Sequence, residues 1–249
     1  MTTFTHDLET PGRALSISAH PDDTEFGCGG TLAKWAAAGC EVSLLVCTDG
    51  SKGTWDHTAD PAVLVAARHE EQREAARRLG AIGEVVFLDI TDGELEADLV
   101  TRGIVASWIR RLKPDVLLGH DPWKRYRLHP DHRNAGLLAV EGLVAARDPH
   151  FFPEQDLDPH RPTELLLFEA DEPNHVEGIS RYLDTKVTAL EAHVSQFETT
   201  MGIADDVDGS QTAAFRERIR REASAAAALD VDDAFSHAEA FARIDAHYL

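Results

Sequence analysis

The chain has 249 residues, which is enough for one sizeable α/β domain and argues against a second independent domain. Its 44 Asp and Glu residues outnumber 24 Lys and Arg residues, and the net charge of −20 disfavours nucleic acid and anionic membrane surfaces as partners. No window approaches the roughly 18 apolar residues of a membrane span, and the first residues lack the pattern of a signal peptide. The cysteines, Cys28, Cys40 and Cys47, show no C-x-x-C spacing and are expected to be reduced and buried. We therefore predict a cytoplasmic protein that binds neither nucleic acid nor membranes.

Apolar runs typical of strands alternate with segments of helical periodicity along most of the chain. The strand-like runs lie at residues 14–19, 41–47, 84–90, 115–120 and 164–170. The helical patterns lie at residues 24–38, 61–79, 95–112 and 132–146. Strict alternation of the two types predicts a mainly parallel sheet with helices on both faces. The predicted fold is α/β, a Rossmann-like three-layer α/β/α arrangement.

The pattern changes in the second half of the chain. Residues 148–162 hold four prolines and no periodicity, so we expect a long surface loop that could border a functional site. After residue 170 the pattern is helical, at 179–197 and again at 211–229. We predict a single domain over residues 1–249, with a core at about 14–198 and a C-terminal helical extension at about 199–249.

Two short motifs combine histidine with carboxylate. The first, AHPDDTE at 19–25, directly follows the first strand, and the second, HPDH at 129–132, follows the strand at 115–120 by one loop. The carboxyl ends of parallel strands meet at one crevice, so the two motifs are expected to build one site there. Two histidines and a carboxylate can hold a divalent metal ion and leave positions open for water and substrate. The sequence therefore predicts a metallohydrolase.

The spacing within each motif indicates different roles for its residues. His20 and Asp23 are three residues apart at the start of a helix, so one turn can aim both at the same point. Asp22 points elsewhere and is placed to take a proton from water. His129 and His132 are also three apart, so one can bind metal while the other donates a hydrogen bond to an oxyanion. Helix capping by an aspartate is the competing interpretation, but a cap does not require the adjacent His-Pro.

In this order, the two motifs resemble those of the zinc-dependent de-N-acetylases of the LmbE/PIG-L-like family. The similarity covers roughly residues 14 to 197. Supporting matches are Thr48-Asp49-Gly50, Arg68 and the run K-x-x-A-L-x-x-H-x-S-Q at 186–196.

The resemblance implies roles for eight residues. The implied zinc ligands are His20, Asp23 and His132. Asp22 would be the general base, and His129 would stabilise the oxyanion and then assist the leaving amine. The residues implied to serve the substrate are Arg68 and Asp92, which would hold sugar hydroxyls, and His193, which would lie near the pocket.

The reaction implied by the resemblance is hydrolysis of an acetamide on a small N-acetylglucosamine-type sugar or conjugate, giving acetate and a free amine. The metal could be zinc or Fe(II), because the spacing does not separate them. The oligomeric state stays open, although related proteins often form trimers or hexamers.

Three alternatives stay open. An amidase that cleaves a larger acyl group or a thiol conjugate would use the same site. A non-haem Fe(II) oxygenase shares the set of two histidines and one carboxylate, but it needs no base at Asp22. A non-catalytic metal-stabilised binding protein would not need both Asp22 and His129.

One departure from the family pattern concerns the loop before the second motif. Members of the mycothiol pathway have a tyrosine two residues before the first histidine, where this chain has Arg127, with Tyr126 one residue earlier. Residues 124–127 are locally basic and either recognise an anionic part of the substrate or form surface salt bridges. Trp123 is a candidate for stacking on a sugar ring.

Overall fold

The computed structural model describes residues 4–230 and 234–245. The strands are β1 (Thr5–His6), β2 (Arg13–Ser18), β3 (Glu41–Thr48), β4 (Val85–Ile90), β5 (Val116–His120), β6 (Glu164–Phe168), β7 (His175–Gly178) and β8 (Ala238–Asp245). The helices are α1 (Asp23–Ala37), α2 (Pro61–Leu79), α3 (Leu99–Leu112), α4 (Pro130–Arg147), α5 (Leu183–Leu190) and α6 (Ser210–Ala227). No helix in the described ranges is long and apolar enough to cross a membrane.

The strands form one sheet in the order β1-β7-β8-β6-β5-β2-β3-β4. All described neighbours run parallel except β8, which is antiparallel to both β6 and β7. The series β4-β3-β2-β5-β6 is the order of a doubly wound sheet, in which the direction of winding reverses between β2 and β5. The prediction of a Rossmann-like α/β fold with a mainly parallel sheet is confirmed.

Helices cover both faces of the sheet because successive strand residues point to opposite sides. Leu15 and Ile17 of β2 pack with residues of α3 and α4. Ala14 of the same strand belongs to the other cluster, with Leu32 and Trp35 of α1. The chain therefore leaves β2 for one face and β5 for the other, which opens a crevice at the carboxyl ends of these two strands.

The C-terminal part of the chain differs from its prediction. The helix expected at 211–229 is present as α6, but residues 238–245, placed in a helical extension, form β8 between β6 and β7. The helix expected at 179–197 ends at Leu190 and is followed by a 3₁₀ turn and by a π-helical turn, Phe197–Met201. Strand β7 was also missed. Both strands are short or rich in alanine, so tertiary pairing decides their conformation.

The loop at 148–162 lies away from the crevice, contrary to the expectation that it could border the site. His160 Nε2 lies 2.7 Å from the carbonyl oxygen of Pro114, just before β5 begins. The backbone N–H of His160 donates to the carbonyl oxygen of Ala146, near the end of α4. These contacts lie at the opposite end of the strands. The three cysteines are unpaired and buried, as predicted.

Helix α1, which carries the first motif, is broken at Cys28, where φ is −148° and ψ is 16°. The break frees backbone N–H groups in the middle of the helix. Glu239 of β8 accepts from Gly30 N at 2.9 Å and from Thr31 N at 2.7 Å. Lys186 of α5 donates to the same carboxylate at 2.5 Å, and both side chains are buried. One carboxylate thus ties together α1, α5 and β8.

Replacing Glu239 by glutamine should lower the free energy of unfolding by about 3 kcal/mol, because Lys186 is left as an uncompensated buried charge. Equilibrium unfolding in urea at neutral pH measures this loss. The matched control is Glu217→Gln, which removes an exposed carboxylate paired with Arg220 and should change stability by less than about 0.5 kcal/mol. Equal stability of the two variants would contradict the role given to Glu239.

Candidate active site

The two motifs meet at the crevice where the strand order reverses. His20 follows the end of β2, and His132 lies in the first turn of α4, after β5. Because β2 and β5 are hydrogen-bonded neighbours, the two side chains come into contact, with 3.1 Å between His20 Nδ1 and His132 Nε2. The structure therefore brings together the two segments that the sequence assigns to one site.

Asp23 places one carboxylate oxygen against each of these two histidines. Its Oδ2 lies 3.3 Å from His20 Nδ1, and its Oδ1 lies 3.3 Å from His132 Nε2. Ligand atoms at about 2.0–2.1 Å from a tetrahedral metal ion stand roughly 3.3 Å apart, so this spacing fits a divalent metal. Two imidazoles and one carboxylate suit zinc and Fe(II) alike. Further ligand atoms of His120 and His129 lie within 4.8 Å of members of this set.

The second nitrogen of His20 faces two carboxylates. His20 Nε2 lies 3.2 Å from Asp131 Oδ2 and 3.3 Å from Asp92 Oδ1. Burial lowers the pKa of His20, but Asp131, Asp23 and Asp92 raise it more, and the net shift is well upward. Asp131 is itself held by the backbone N–H groups of Gly93, at 2.6 Å, and Leu95. This arrangement fixes the ring so that Nδ1 points toward Asp23 and His132.

Asp22 is a buried carboxylate on a strained backbone. Its φ of 100° lies in the left-handed region, and its N–H donates to Gln72 Oε1 at 2.9 Å. The side chain makes no capping hydrogen bond, so the capping interpretation is wrong for this residue. Burial raises its pKa to about 6, with Asp23 adding to the rise and Arg68, 3.7 Å away, opposing it. Such strain is typical of functional positions.

His129 is exposed at the start of α4 and faces the same pocket. Its Nδ1 accepts from the N–H of Asp131 at 3.3 Å, so the neutral ring carries its proton on Nε2. Burial lowers the pKa of His129, and the neighbouring His20 and His132 lower it further. The ring centroid lies 4.6 Å from that of His20. His129 is thus a neutral hydrogen-bond donor beside His20, Asp23 and His132.

Seven of the eight predicted site residues line a pocket of about 320 Å³; the exception is His193. Arg68 is buried and donates to the carbonyls of Gly50 at 3.0 Å and Pro21 at 2.6 Å. Asp92 contacts His20 and also accepts from Lys52 N at 3.2 Å. His193 has no exposed surface, and its Nε2 lies 3.3 Å from Glu25 Oε2, behind the pocket wall.

Six further residues line the pocket and were not among the predicted site residues: Lys52, Gly53, Gly93, Gln196, Thr199 and Thr200. Gln196 donates to Gly53 O at 3.1 Å and accepts from Thr199 Oγ1 at 3.2 Å. The threonines lie on the π-helical turn, a conformation often found at functional sites. Helical periodicity at 179–197 gave no sign of this turn.

Two of the three cationic side chains in the basic segment at 124–127 are engaged within the protein. Arg127 Nη1 donates to Glu169 Oε2 at 2.6 Å and Lys124 Nζ to the Glu169 carbonyl at 2.9 Å. Tyr126 is 86% exposed and, like Trp123, lines a separate groove of about 760 Å³. For Arg127 the geometry therefore favours the salt-bridge interpretation, and neither aromatic residue lines the pocket.

His120, the last residue of β5, was also missed, although it ends a predicted strand. Its Nε2 lies 3.2 Å from Asp23 Oδ2, and its Nδ1 lies 3.1 Å from Glu169 Oε2. Ionised carboxylates only accept, so each ring nitrogen is placed to donate to one carboxylate. Burial lowers the pKa of His120, but Asp23 and Glu169 produce a net rise. Burial raises the pKa of Glu169, but His120 and Arg127 bring it down to about 2.

Comparison with known proteins places this site in a family. Residues 15–143 match the family described as PIG-L, GlcNAc-PI de-N-acetylase. A diacetylchitobiose deacetylase of Thermococcus kodakarensis is 36% identical over 188 residues, which cover 74% of this chain and 70% of that protein. The solved structure of N,N′-diacetylchitobiose deacetylase from Pyrococcus horikoshii, with an inhibitor, is 29% identical with a TM-score of 0.84 and covers 96% of this chain and 85% of that one.

A second type of relative acts on a different conjugate. The 1D-myo-inositol 2-acetamido-2-deoxy-alpha-D-glucopyranoside deacetylase of Streptomyces avermitilis is 34% identical over 166 residues. The match covers 57% of this chain and 56% of that enzyme, so the similarity spans little more than half of its length. Both kinds of relative are therefore named as deacetylases of acetamido sugars.

The metal-free protein should become more stable at neutral pH when Asp22 is replaced by asparagine. The pKa of Asp22 is about 6, above its ordinary value of 3.8, so folding favours the protonated carboxyl. The stability that Asp22 contributes is present below about pH 4 and is lost as the pH rises through 6. Asparagine imitates the protonated form, so Asp22→Asn should gain about 3 kcal/mol at neutral pH.

Urea unfolding at pH values of about 4 and 7, after removal of metal by a chelator, measures this difference. Asp184→Asn is the matched control, because its carboxylate is 93% exposed. A gain of the same size at both pH values would contradict the assignment to Asp22.

Proposed function

Because the chain belongs to the GlcNAc-PI de-N-acetylase family, we propose that it is a metal-dependent hydrolase of an N-acetylglucosamine-type sugar or conjugate. The reaction removes the N-acetyl group and gives acetate and a free amine. The observation that carries the proposal is the buried carboxylate of Asp22 beside donor atoms of His20, Asp23 and His132 that stand 3.1–3.3 Å apart. The acetamido-sugar deacetylases among the relatives support the substrate class.

The proposed metal is zinc, held by His20, Asp23 and His132. When bound, it supplies a Lewis acid that polarises the acetyl carbonyl and lowers the pKa of water. Asp131 and Asp92 orient His20 from behind through its Nε2. Fe(II) fits the same donor set, and metal analysis of the purified protein distinguishes the two.

Asp22 is proposed to take the proton from the attacking water. It is ionised at neutral pH with a pKa of about 6, which is close to the working pH and therefore suits a general base. His129 donates from Nε2 to the oxygen that gains negative charge, since its Nδ1 is occupied by the Asp131 N–H. Arg68 and Asp92 line the pocket and are proposed to bind sugar hydroxyls.

An oxygenase needs no base beside its ligands, so the buried Asp22 favours hydrolysis over the Fe(II) oxygenase alternative. The proposed location is the cytoplasm, where cysteines such as the three unpaired ones here remain reduced. Assembly into trimers or hexamers is a further proposal from the family resemblance, which light scattering can test.

The deciding experiment is acetate release from a panel of N-acetylglucosamine compounds by zinc-loaded and chelated protein. The panel holds the inositol-linked, malate-linked, chitobiose and unmodified sugars. We expect metal-dependent release from at least one of them. Release of a longer acyl group, with none of acetate, would favour the amidase alternative, and no hydrolysis of either kind would contradict the proposal.

Two variants separate the base from the metal ligands. Asp22→Asn should lower kcat by about 10²–10⁴-fold and keep its metal, because it loses the base alone. His132→Ala should lose the metal itself. Metal content by mass spectrometry and acetate release, measured on the same samples, test both. Wild-type turnover by Asp22→Asn would remove Asp22 from the mechanism.

A further inference from the structure

Five side chains, two of them proposed metal ligands, form a closed ring of contacts. Asp23 Oδ2 lies 3.2 Å from His120 Nε2, and His120 Nδ1 lies 3.1 Å from Glu169 Oε2. Arg127 Nη1 donates to this same Glu169 oxygen at 2.6 Å and lies 3.2 Å from His132 Nδ1. The ring closes where His132 Nε2 stands 3.3 Å from Asp23 Oδ1.

We propose that His120, Glu169 and Arg127 are positioning residues that set the affinity of the site for its metal ion, with Glu169 as the balancing charge. The inference rests on the proposed function, because it takes Asp23 and His132 as metal ligands. None of the three residues is among those that line the described pocket. Their effect therefore passes through the ligands.

On one side of the ring, His120 determines which oxygen Asp23 offers. Asp23 Oδ2 accepts from the N–H of His20 at 2.8 Å and faces His120 Nε2. This leaves Oδ1 as the oxygen directed toward His132 Nε2. The ring of His120 also stacks on that of His132, with centroids 4.5 Å apart and planes 12° apart. His120 thus holds both ligands in place, as outer hydrogen bonds do around metal sites.

On the other side of the ring, Arg127 disfavours the tautomer of His132 that binds metal through Nε2. An arginine only donates, so it offers no acceptor for a proton on His132 Nδ1. A neutral histidine that binds metal through Nε2 carries its proton on Nδ1, where it would meet the Arg127 N–H. Arg127 Nη1 lies 2.6 Å from Glu169 Oε2 and 3.2 Å from His132 Nδ1, so the carboxylate is the nearer partner and competes with the histidine for the guanidinium.

The negative charge of Glu169 is expected to affect metal affinity more than the positions of the hydrogen bonds do. Arg127 is 7% exposed, and its Nε and Nη2 have no partner among the described residues, so Glu169 is its balancing anion. The same oxygen lies 3.1 Å from His120 Nδ1. Without Glu169, the unbalanced guanidinium of Arg127 would stand directly behind His132, a proposed ligand of a divalent cation, and would repel that cation. Glu169 is 42% exposed, so water screens part of this repulsion.

The test compares the metal dissociation constants of four proteins, measured by competition with a chromophoric chelator for Zn²⁺ and Co²⁺. These are the wild type, Glu169→Gln, Arg127→Met and the double variant. We expect Glu169→Gln to bind about tenfold or more weakly, in the range usual for outer residues of metal sites. Arg127→Met should bind at least as tightly as wild type, and the double variant should recover most of the loss.

Glu172→Gln is the matched control, because it removes the same charge from an exposed position three residues away and should leave the metal affinity unchanged. Thermal melting of the metal-free proteins checks that all of them fold. If Glu169→Gln is too unstable to measure, Arg127→Met decides alone, since tenfold weaker binding by it overturns the proposal.

Three other results also overturn the proposal: wild-type affinity in Glu169→Gln, losses in the two single variants that simply add in the double variant, or an equal loss in Glu172→Gln.

The proposed function is tested separately by a variant of a metal ligand. His132→Ala, measured in the same assay, reports on the metal site itself. If it keeps wild-type affinity, the assignment of the ligands fails, whatever Glu169 does.

Discussion

The site depends on one topological constraint, the reversal of strand order between β2 and β5. The chain leaves these adjacent strands toward opposite faces of the sheet, so α1 and α4 diverge and a crevice opens between them. A ligand from the start of each helix can then reach the same point. His20 and His132 are 112 residues apart in sequence, yet their ring nitrogens stand 3.1 Å apart. The other contacts of the site orient the side chains that this topology brings together.

Holding several carboxylates in such a crevice requires compensating donors, because an unpaired buried charge is costly. Asp131 is held by two backbone N–H groups and by His20. Asp23 is held by the His20 backbone and by His120. Asp22 is the exception: its side chain lies 3.7 Å from Arg68, and its pKa rises to about 6. The carboxylate with the weakest support is thus the one proposed to exchange a proton.

Local rules predicted the parts of the fold that local chemistry decides. Helix α2 begins at Pro61, after the capping side chain of Asp60, and ends before Gly80 in the left-handed conformation, so both of its ends were predicted correctly. The two motifs could be placed at one crevice because strand-to-helix turns in a parallel sheet share an edge.

The remainder is set by contacts between distant segments. Strand β8 is an alanine-rich segment that pairs with β6 and β7, and its apolar residues alternate with polar ones at all but one position. This weak period-two pattern was overlooked in favour of a helix. Glu169 follows β6 in an ordinary polar loop, and only the fold brings it to His120 and Arg127. The loop at 148–162 has a composition typical of surface loops, but composition does not say at which end of the sheet it lies.

The distribution of charge around the pocket bears on the proposed substrate. Arg127, which the sequence offered as a binder of anions, is balanced by Glu169 and does not line the pocket. Lys52 at the pocket mouth lies 3.3 Å from Glu94, so its charge is partly offset. The other newly found groups, Gln196 and the threonines of the π-helical turn, are neutral hydrogen-bonding side chains. A mouth of this kind suits the hydroxyls of an uncharged sugar better than a phosphorylated group, for which paired cationic donors would be needed.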